Sequence, residues 1–113
     1  MRKVLVLLFV ALAIGIMPLR ALAGDRTART TITNVRAYQN GAYFVTLATA
    51  NMAPGSLFPT CTTVYKVNEL QAGKNAVIAT ALAAHVAAKE VQIEISNLGC
   101  SGFGTLVTSI FVF

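Results

Sequence analysis

The chain has 113 residues, of which 56% are hydrophobic and only 12% are charged, and its formal net charge is +5. Three basic residues lie in the first 23 positions, so residues 24–113 carry six basic and four acidic residues. This net charge of +2 is too small to favour nucleic acid as a partner. The charged fraction is well below the roughly 25% of a typical soluble protein, which predicts a largely uncharged surface.

The first segment reads as a cleaved signal peptide. Arg2 and Lys3 form a basic start, residues 4–17 are an apolar run, and Ala21-Leu22-Ala23 is a small-x-small cleavage sequence. The apolar run is shorter than the about 20 residues that span a bilayer. We therefore expect export to the periplasm or beyond, cleavage after residue 23, one domain over residues 24–113, and no membrane span in the mature chain.

The first strand is expected over residues 31–39. Its alternation is broken, because Ile32 falls on one face and Val35 on the other. An extra residue near Thr33 and Asn34 would restore the pattern, so the sequence predicts a β-bulge there and a curved strand.

A hairpin and a long loop follow. Asn40-Gly41 favours a tight turn, because both residues tolerate a positive φ, and it precedes a second strand over residues 42–48. Residues 49–60 contain Pro54 and read as a loop, which is where binding surface is often found. The third strand is predicted over residues 61–67.

An alanine-rich helix is predicted over residues 76–88, where seven of thirteen residues are alanine, the best helix former. Asn75 is the expected N-cap. A helical wheel places one apolar arc on one side, formed by Ile78, Ala81, Leu82, His85 and Val86. The opposite face carries Ala79, Ala83 and Ala87. This small, uncharged face predicts either close packing against another copy of the chain or alanines that simply face solvent.

His85, the single histidine, lies within the apolar arc near the helix end. It is either a pH-sensitive or ligand-contacting group, or a side chain that packs at the core edge with one ring nitrogen bonded locally. The second interpretation is favoured.

The hydrophobic period changes from 3.6 to 2 after Lys89. Val91, Ile93 and Ile95 alternate with polar residues, which predicts a fourth strand with one buried face. A glycine-rich loop with Phe103 follows, and a fifth strand runs from residue 105 to the end. We expect the fifth strand to be apolar on both faces, with Leu106, Ile110 and Val112 on one and Val107, Phe111 and Phe113 on the other.

The two cysteines, Cys61 and Cys100, are expected to form a disulfide bond because export permits oxidation. Closing a loop of this length would stabilise the fold by about 4 kcal/mol in the chain-entropy treatment. Two free thiols or a metal pair is the weaker alternative, since one histidine leaves too few ligands for a structural zinc site.

The predicted order is β-β-β-α-β-β, mainly β with one helix. It fits a five-stranded Greek-key barrel of the OB type, with a helix on an open antiparallel sheet as the alternative. The run 84–100, AHVAAKEVQIEISNLGC, with its hydrophobic last strand, resembles the B subunits of pentameric bacterial toxins of the subtilase-cytotoxin type. The resemblance implies an OB barrel, assembly of five copies around their helices, and binding of sialylated glycans.

No catalytic chemistry is expected. The sequence contains no nucleophile elbow, phosphate loop or metal-ligand cluster, and we expect no cofactor. Tyr38, Tyr43, Phe44 and Tyr65 could stack on nucleobases, but export and low charge favour core packing for most of them.

The function expected is that of a secreted or periplasmic, non-enzymatic binding module for a glycan or a protein, with glycan binding of the toxin B-subunit kind as the specific form. The alternative is a periplasmic inhibitor-type or structural protein that binds an envelope or host protein. The candidate ligand contacts are Tyr43, Pro54 and Phe103. The candidate face for self-association consists of Ala79, Ala83, Ala87, Phe111 and Phe113.

Overall fold

A computed structural model describes residues 25–96, 100 and 102–113; the predicted signal peptide lies outside these ranges. The described elements are β1 (Thr30–Ala37), β2 (Tyr43–Leu47), β3 (Val64–Val67), α1 (Lys74–Val86), β4 (Glu90–Ile95), a short 3-10 turn (Gly102–Gly104) and β5 (Val107–Val112). The protein is therefore mainly β with one helix, and the predicted order of elements is confirmed. The third strand begins three residues later than predicted.

The five strands form one antiparallel sheet with the order β3-β2-β1-β4-β5. The central strand β1 pairs with β2 through its second half and with β4 through its first half. Its register shifts between Ile32 and Asn34, so the predicted bulge is confirmed. The segment before β1 continues the pairing with β4, since the Thr27 amide donates to the Ile93 carbonyl at 2.9 Å.

The predicted hairpin between β1 and β2 is present. Gly41 has a φ of +92°, a value that residues with a Cβ rarely adopt. The side-chain oxygen of Asn40 accepts from the Ala42 amide at 3.0 Å, and the Tyr38 amide donates to the Ala42 carbonyl. The Asn-Gly pair thus fixes the register of β1 against β2.

The sheet is open, which corrects the expectation of a closed barrel. β3 has only four residues, so it offers little length for a further partner beyond β2. A parallel bridge joins Lys66 to Leu106, where the Lys66 amide donates to the Thr105 carbonyl at 2.8 Å. This bridge precedes β5, and β5 itself is an outer strand of the sheet.

The core lies between the inner face of the sheet and α1. Inward-facing residues of the strands alternate with outward-facing ones, as a half-buried sheet requires. Tyr65, Val67, Val91 and Ile93 are fully buried, and Ile78, Ala81 and Ala84 of α1 pack against them. Each large apolar side chain buried in this way contributes about 1.5 to 3 kcal/mol.

The helix differs from the prediction in two respects. It begins at Lys74 with Gly73 as the N-cap and without a side-chain cap hydrogen bond, so the prediction of Asn75 as N-cap was wrong. Leu82 and Val86 of the predicted apolar arc are 45% and 85% exposed. The row that faces the sheet contains alanines instead, and these small side chains let the helix approach the strands closely.

The prediction for β5 was wrong about Val107. The register between β4 and β5 shifts between Glu94 and Ile95, so Val107 pairs with Ile95 and joins the core. Beyond this irregularity Ile110 pairs with the buried Ile93. The register shift therefore moves Val107 to the inner face, while the end of β5 is apolar on both faces as predicted, with Ile110 directed inward and Phe111 outward.

Candidate functional site

A row of side chains crosses the outer face of β1, β2 and β3. Phe44 lies at the centre of this row, with Arg36 as its cross-strand neighbour on β1 and Lys66 on β3. The neighbouring residues on β2, Tyr43 and Val45, pack toward the core instead. Strand alternation therefore places an aromatic ring between two cationic side chains on the side of the sheet away from the helix.

Three aromatic rings meet on this outer face. The ring of Phe103 stacks on Phe44 with centroids 4.6 Å apart, and Tyr38 meets Phe44 edge-on at 5.9 Å. Phe44 is only 7% exposed beneath them, whereas Tyr38 and Phe103 are 48% and 57% exposed. The cluster thus has a buried base and two rings open to solvent.

Arg36 completes what we call the Arg36 surface, defined by Arg36, Tyr38, Phe44 and Phe103. Its guanidinium carbon lies 5.0 Å from the Phe44 ring centroid, 5.6 Å from that of Phe103 and 5.7 Å from that of Tyr38. These distances are within the range of cation–π attraction. Lys66 pairs with Glu69 at 3.8 Å, whereas no carboxylate of the described residues is within ion-pair distance of Arg36.

The predicted disulfide bond helps to position Phe103. Cys61 and Cys100 are joined, with an S–S distance of 2.05 Å, so the prediction is confirmed. The bond connects the loop before β3 to the loop that carries Phe103, three residues beyond Cys100. Gly102, at a φ of +57°, accepts a hydrogen bond from the Thr105 hydroxyl at 3.0 Å, which closes the short turn that presents the ring.

The other two candidate ligand contacts lie elsewhere. Tyr43 is half-buried against the core on the inner face of β2, opposite the Arg36 surface. Pro54 is exposed in the long loop, next to Gly55 with a φ of +90°. The long loop is held to the N-terminal segment, because the Leu57 amide donates to an oxygen of the Asp25 carboxylate at 3.0 Å. Of the three candidates, only Phe103 belongs to the aromatic cluster.

A second arginine–aromatic surface covers the outer face of β4 and β5. Arg26 lies 4.3 Å above the Phe111 ring and Arg29 lies 3.7 Å above the Phe113 ring. Arg26 also pairs with Glu94 at 3.6 Å. We call this the Arg26–Arg29 surface, defined by Arg26, Arg29, Glu94, Phe111 and Phe113.

The residues expected to form one self-association face are therefore divided. Phe111 and Phe113 lie beneath arginines on the outer face of β5, while Ala79, Ala83 and Ala87 are exposed on α1. On the helix side of the sheet, a groove of about 410 Å³ separates α1 from β5. We call it the helix groove, defined by its lining residues Ala79, Thr80, Ala83, Ala84, Lys89 and Val112.

His85 links the helix to the bulge of β1. Its Nδ1 lies 2.9 Å from the carbonyl oxygen of Ile32, and a carbonyl can only accept, so Nδ1 carries the proton. The partner is 53 residues away in sequence, not local as expected. The contact fits a structural role at the core edge.

Sequence reasoning missed Arg36, and it treated Tyr38 mainly as a core residue. The sequence did contain a pattern that favours exposure of both residues. Arg36 is two positions after Asn34 and therefore lies on the same solvent-facing side of the bulged strand, and Tyr38 directly precedes the turn. The contact with Phe103 was not accessible, since Phe44 and Phe103 are 59 positions apart.

Within the described residues, no group of three or more histidine, cysteine or acidic side chains is arranged to hold a metal ion. In the same residues no helix is long and apolar enough to cross a membrane. Together, the fold and the Arg36 surface define a small disulfide-linked β-sheet protein with a solvent-exposed aromatic cluster. No family model, curated protein or solved structure matches the chain.

Proposed function

We propose that the mature chain is an exported, non-enzymatic binding module that holds a glycan on the Arg36 surface. The observation that carries this proposal is the pair of exposed rings, Tyr38 and Phe103, seated on the buried ring of Phe44. A sugar presents a flat face of C–H groups that packs on such rings, and its hydroxyls accept hydrogen bonds from a neighbouring guanidinium. Rings already packed against each other lose little entropy on binding.

The location of the surface supports the same proposal. It is built from the turn between β1 and β2, the outer face of β2 and the loop before β5. These are the positions where OB barrels bind oligosaccharides and oligonucleotides. An OB-like arrangement of the strands, in a sheet that is not closed into a barrel, is part of the proposal. The isolated parallel bridge between Lys66 and Leu106 favours it, because it brings the end of β3 close to the start of β5. The disulfide bond is compatible with an extracellular or periplasmic location.

A glycan array probed with the mature protein tests the proposal, followed by titration calorimetry on any sugar retained. Phe103→Ala and Arg36→Gln should each weaken binding by about tenfold or more, equal to 1.4 kcal/mol. The matched controls, Phe113→Ala and Arg29→Gln, remove the same chemistry from the Arg26–Arg29 surface and should leave the affinity unchanged. Retention of a single-stranded oligonucleotide instead of any glycan would contradict the proposal, and so would equal losses in both pairs.

The alternative function, an inhibitor-type or structural protein that binds another protein, is favoured by a different observation. The helix groove adjoins an outer strand of the sheet, on the face opposite the Arg36 surface. An envelope protein retained by the mature chain, with no glycan binding in the array, would support this function. The two functions are compatible because they use different surfaces.

A further inference from the structure

The backbone of β5 has one open edge. β5 is an outer strand whose neighbour in the sheet is β4. The Phe113 amide donates to the Glu90 carbonyl at 2.9 Å, and in an antiparallel pair every second residue turns both its N–H and its C=O toward the partner. Phe111 is therefore in the same set as Phe113, and the intervening Ile110 and Val112 turn their backbone groups away from β4.

These outward groups have no backbone partner among the described residues. Gln71 caps the beginning of the edge, because its side-chain amide donates to the Val107 carbonyl at 3.0 Å. Beyond that contact, Ile110 and Val112 present two N–H and two C=O groups in an alternating row. Another extended backbone matches such a row, which is how peptides add to sheet edges.

The helix groove lies beside this edge, on the inner side of the sheet. Val112 is 43% exposed at one wall, and Ala79 and Ala83 form the other. Because both alanines are small, they leave space above the strand rather than filling it. A strand added next to β5 would direct alternate side chains into this space, since side chains of neighbouring strands share a face.

Lys89 lines the groove, so its positive charge favours an occupant with a negative charge. No carboxylate of the described residues lies within ion-pair distance of its ammonium group. An acidic group on the occupant would therefore meet a cation that has no competing described partner. Apolar groove walls, an open backbone edge and a lysine together describe one kind of occupant.

We propose that β5 and the helix groove bind an extended peptide segment of a partner protein, added as a sixth strand beside Ile110 and Val112. The segment places an apolar side chain between Val112 and Ala83 and an aspartate or glutamate next to Lys89. This site is separate from the Arg36 surface, so it does not depend on glycan binding.

The test uses a fluorescent peptide of alternating valine and threonine that ends in glutamate, with binding followed by anisotropy. Two N-methylated versions decide the mode, one methylated at every second amide and the other at the intervening amides. Methylation of the amides that face β5 blocks strand addition, while methylation of the opposite edge leaves it intact. We expect one version to bind like the parent peptide and the other to bind at least about tenfold more weakly.

Variants of the protein locate the site. Val112→Pro removes an outward N–H without breaking a bond to β4, since proline is tolerated at a free strand edge; it should fold and lose peptide binding. Ala83→Glu places a charge in the groove and should weaken binding similarly. Ala87→Glu is the matched control, because Ala87 is exposed one turn further along and does not line the groove; it should bind normally.

Three binding results and one sedimentation result would overturn the proposal. The binding results are no binding by the parent peptide, equal binding of both methylated versions, or normal binding by both Val112→Pro and Ala83→Glu. Sedimentation decides the remaining case. If the protein forms an oligomer that Val112→Pro and Ala83→Glu dissociate, a second copy of the chain occupies the edge of β5. The peptide proposal then fails, and the self-association expected from the sequence is supported instead.

Discussion

The two arginine–aromatic surfaces of this sheet use the same residue types in different ways. On the Arg26–Arg29 surface each arginine covers one ring, and Arg26 is paired with Glu94. On the Arg36 surface one arginine faces three rings that also contact each other, with no described carboxylate in ion-pair range. The two surfaces differ in how their groups are used. On the first, Glu94 offsets the charge of Arg26 and each arginine covers its own ring. On the second, the charge of Arg36 has no described carboxylate in range, and the rings of Tyr38 and Phe103 remain about half exposed.

The position of each surface explains the contrast. Arg26 and Arg29 belong to the segment that runs along β4 into β1, so their contacts fasten that segment to the β4–β5 hairpin. Arg36 lies in the part of β1 beyond the bulge, next to the turn and the disulfide-held loop. We infer that the Arg26–Arg29 surface is structural and that the Arg36 surface binds a ligand.

Removal of the disulfide bond should produce the largest effect and act mainly on the Arg36 surface. We expect the double substitution Cys61→Ser and Cys100→Ser to lower the free energy of unfolding by about 4 kcal/mol, because the unfolded chain gains conformational freedom. Urea denaturation measures the change. Glycan binding should weaken as well, since Phe103 is three residues from Cys100. Wild-type protein after reduction is the control and should behave like the double variant. An unchanged unfolding midpoint would contradict this expectation.

Substitution of the buried ring of the Arg36 surface should destabilise the protein more than substitution of a ring on the Arg26–Arg29 surface. Phe44→Ala removes a ring that is nearly inaccessible to solvent and should cost about 3 kcal/mol. Phe111→Ala removes a partly exposed ring and should cost about 1 kcal/mol. Thermal and urea unfolding of both variants provide the comparison. Similar losses for the two variants would mean that both aromatic surfaces support the fold equally.

The smallest effect concerns Tyr65, on the inner face of β3 beneath the Arg36 surface. Its hydroxyl is buried, and no hydrogen-bond partner is present among the described residues. Burial raises the pKa of Tyr65 above the ordinary value of 10.0, and the nearby Thr62 backbone offsets part of the rise without reaching hydrogen-bond geometry. Tyr65→Phe should be neutral or stabilise the protein by up to about 1 kcal/mol near neutral pH.

The dependence of the unfolding free energy on pH should differ between the wild type and Tyr65→Phe. Above pH 10 the unfolded state releases the Tyr65 proton more readily than the folded state, so wild-type stability falls as the pH rises toward the folded pKa. Tyr65→Phe should show a smaller fall over this window in urea titrations. The exposed Tyr38→Phe is the control and should follow the wild type. If both variants follow the wild type, burial of the Tyr65 hydroxyl does not govern the alkaline loss.

The sequence was informative wherever a local pattern determined the structure. The bulge near Thr33, the Asn40-Gly41 turn and the buried face of β4 follow from alternation and turn chemistry alone. The helix face was predicted only in part, because Ala81 is buried as expected but Ala84 faces the sheet in place of Leu82. Which of these side chains is buried depends on how closely the helix can approach the sheet. The face of Val107 depends on a register shift opposite β4 that no local pattern encodes.

The residues of the candidate site were also predicted only in part. Phe103 was selected from the sequence because a glycine-rich loop is a plausible binding element. Tyr43 was selected with it, but the register of β2 turns that ring inward. Arg36 was missed, because a lone arginine on a wet strand face looks like ordinary solubilising charge until Phe44 and Phe103 are placed beside it.

The central position of β1 has a consequence for the order in which the protein folds. Pairing of Ala37 with Tyr43 closes a short loop, whereas pairing of Thr30 with Val91 closes one of about sixty residues. Loop-closure entropy makes the second step more costly by about 2 kcal/mol. We expect the β1–β2–β3 meander to form early and the bulge of β1 to become the boundary at which β4 and β5 later assemble.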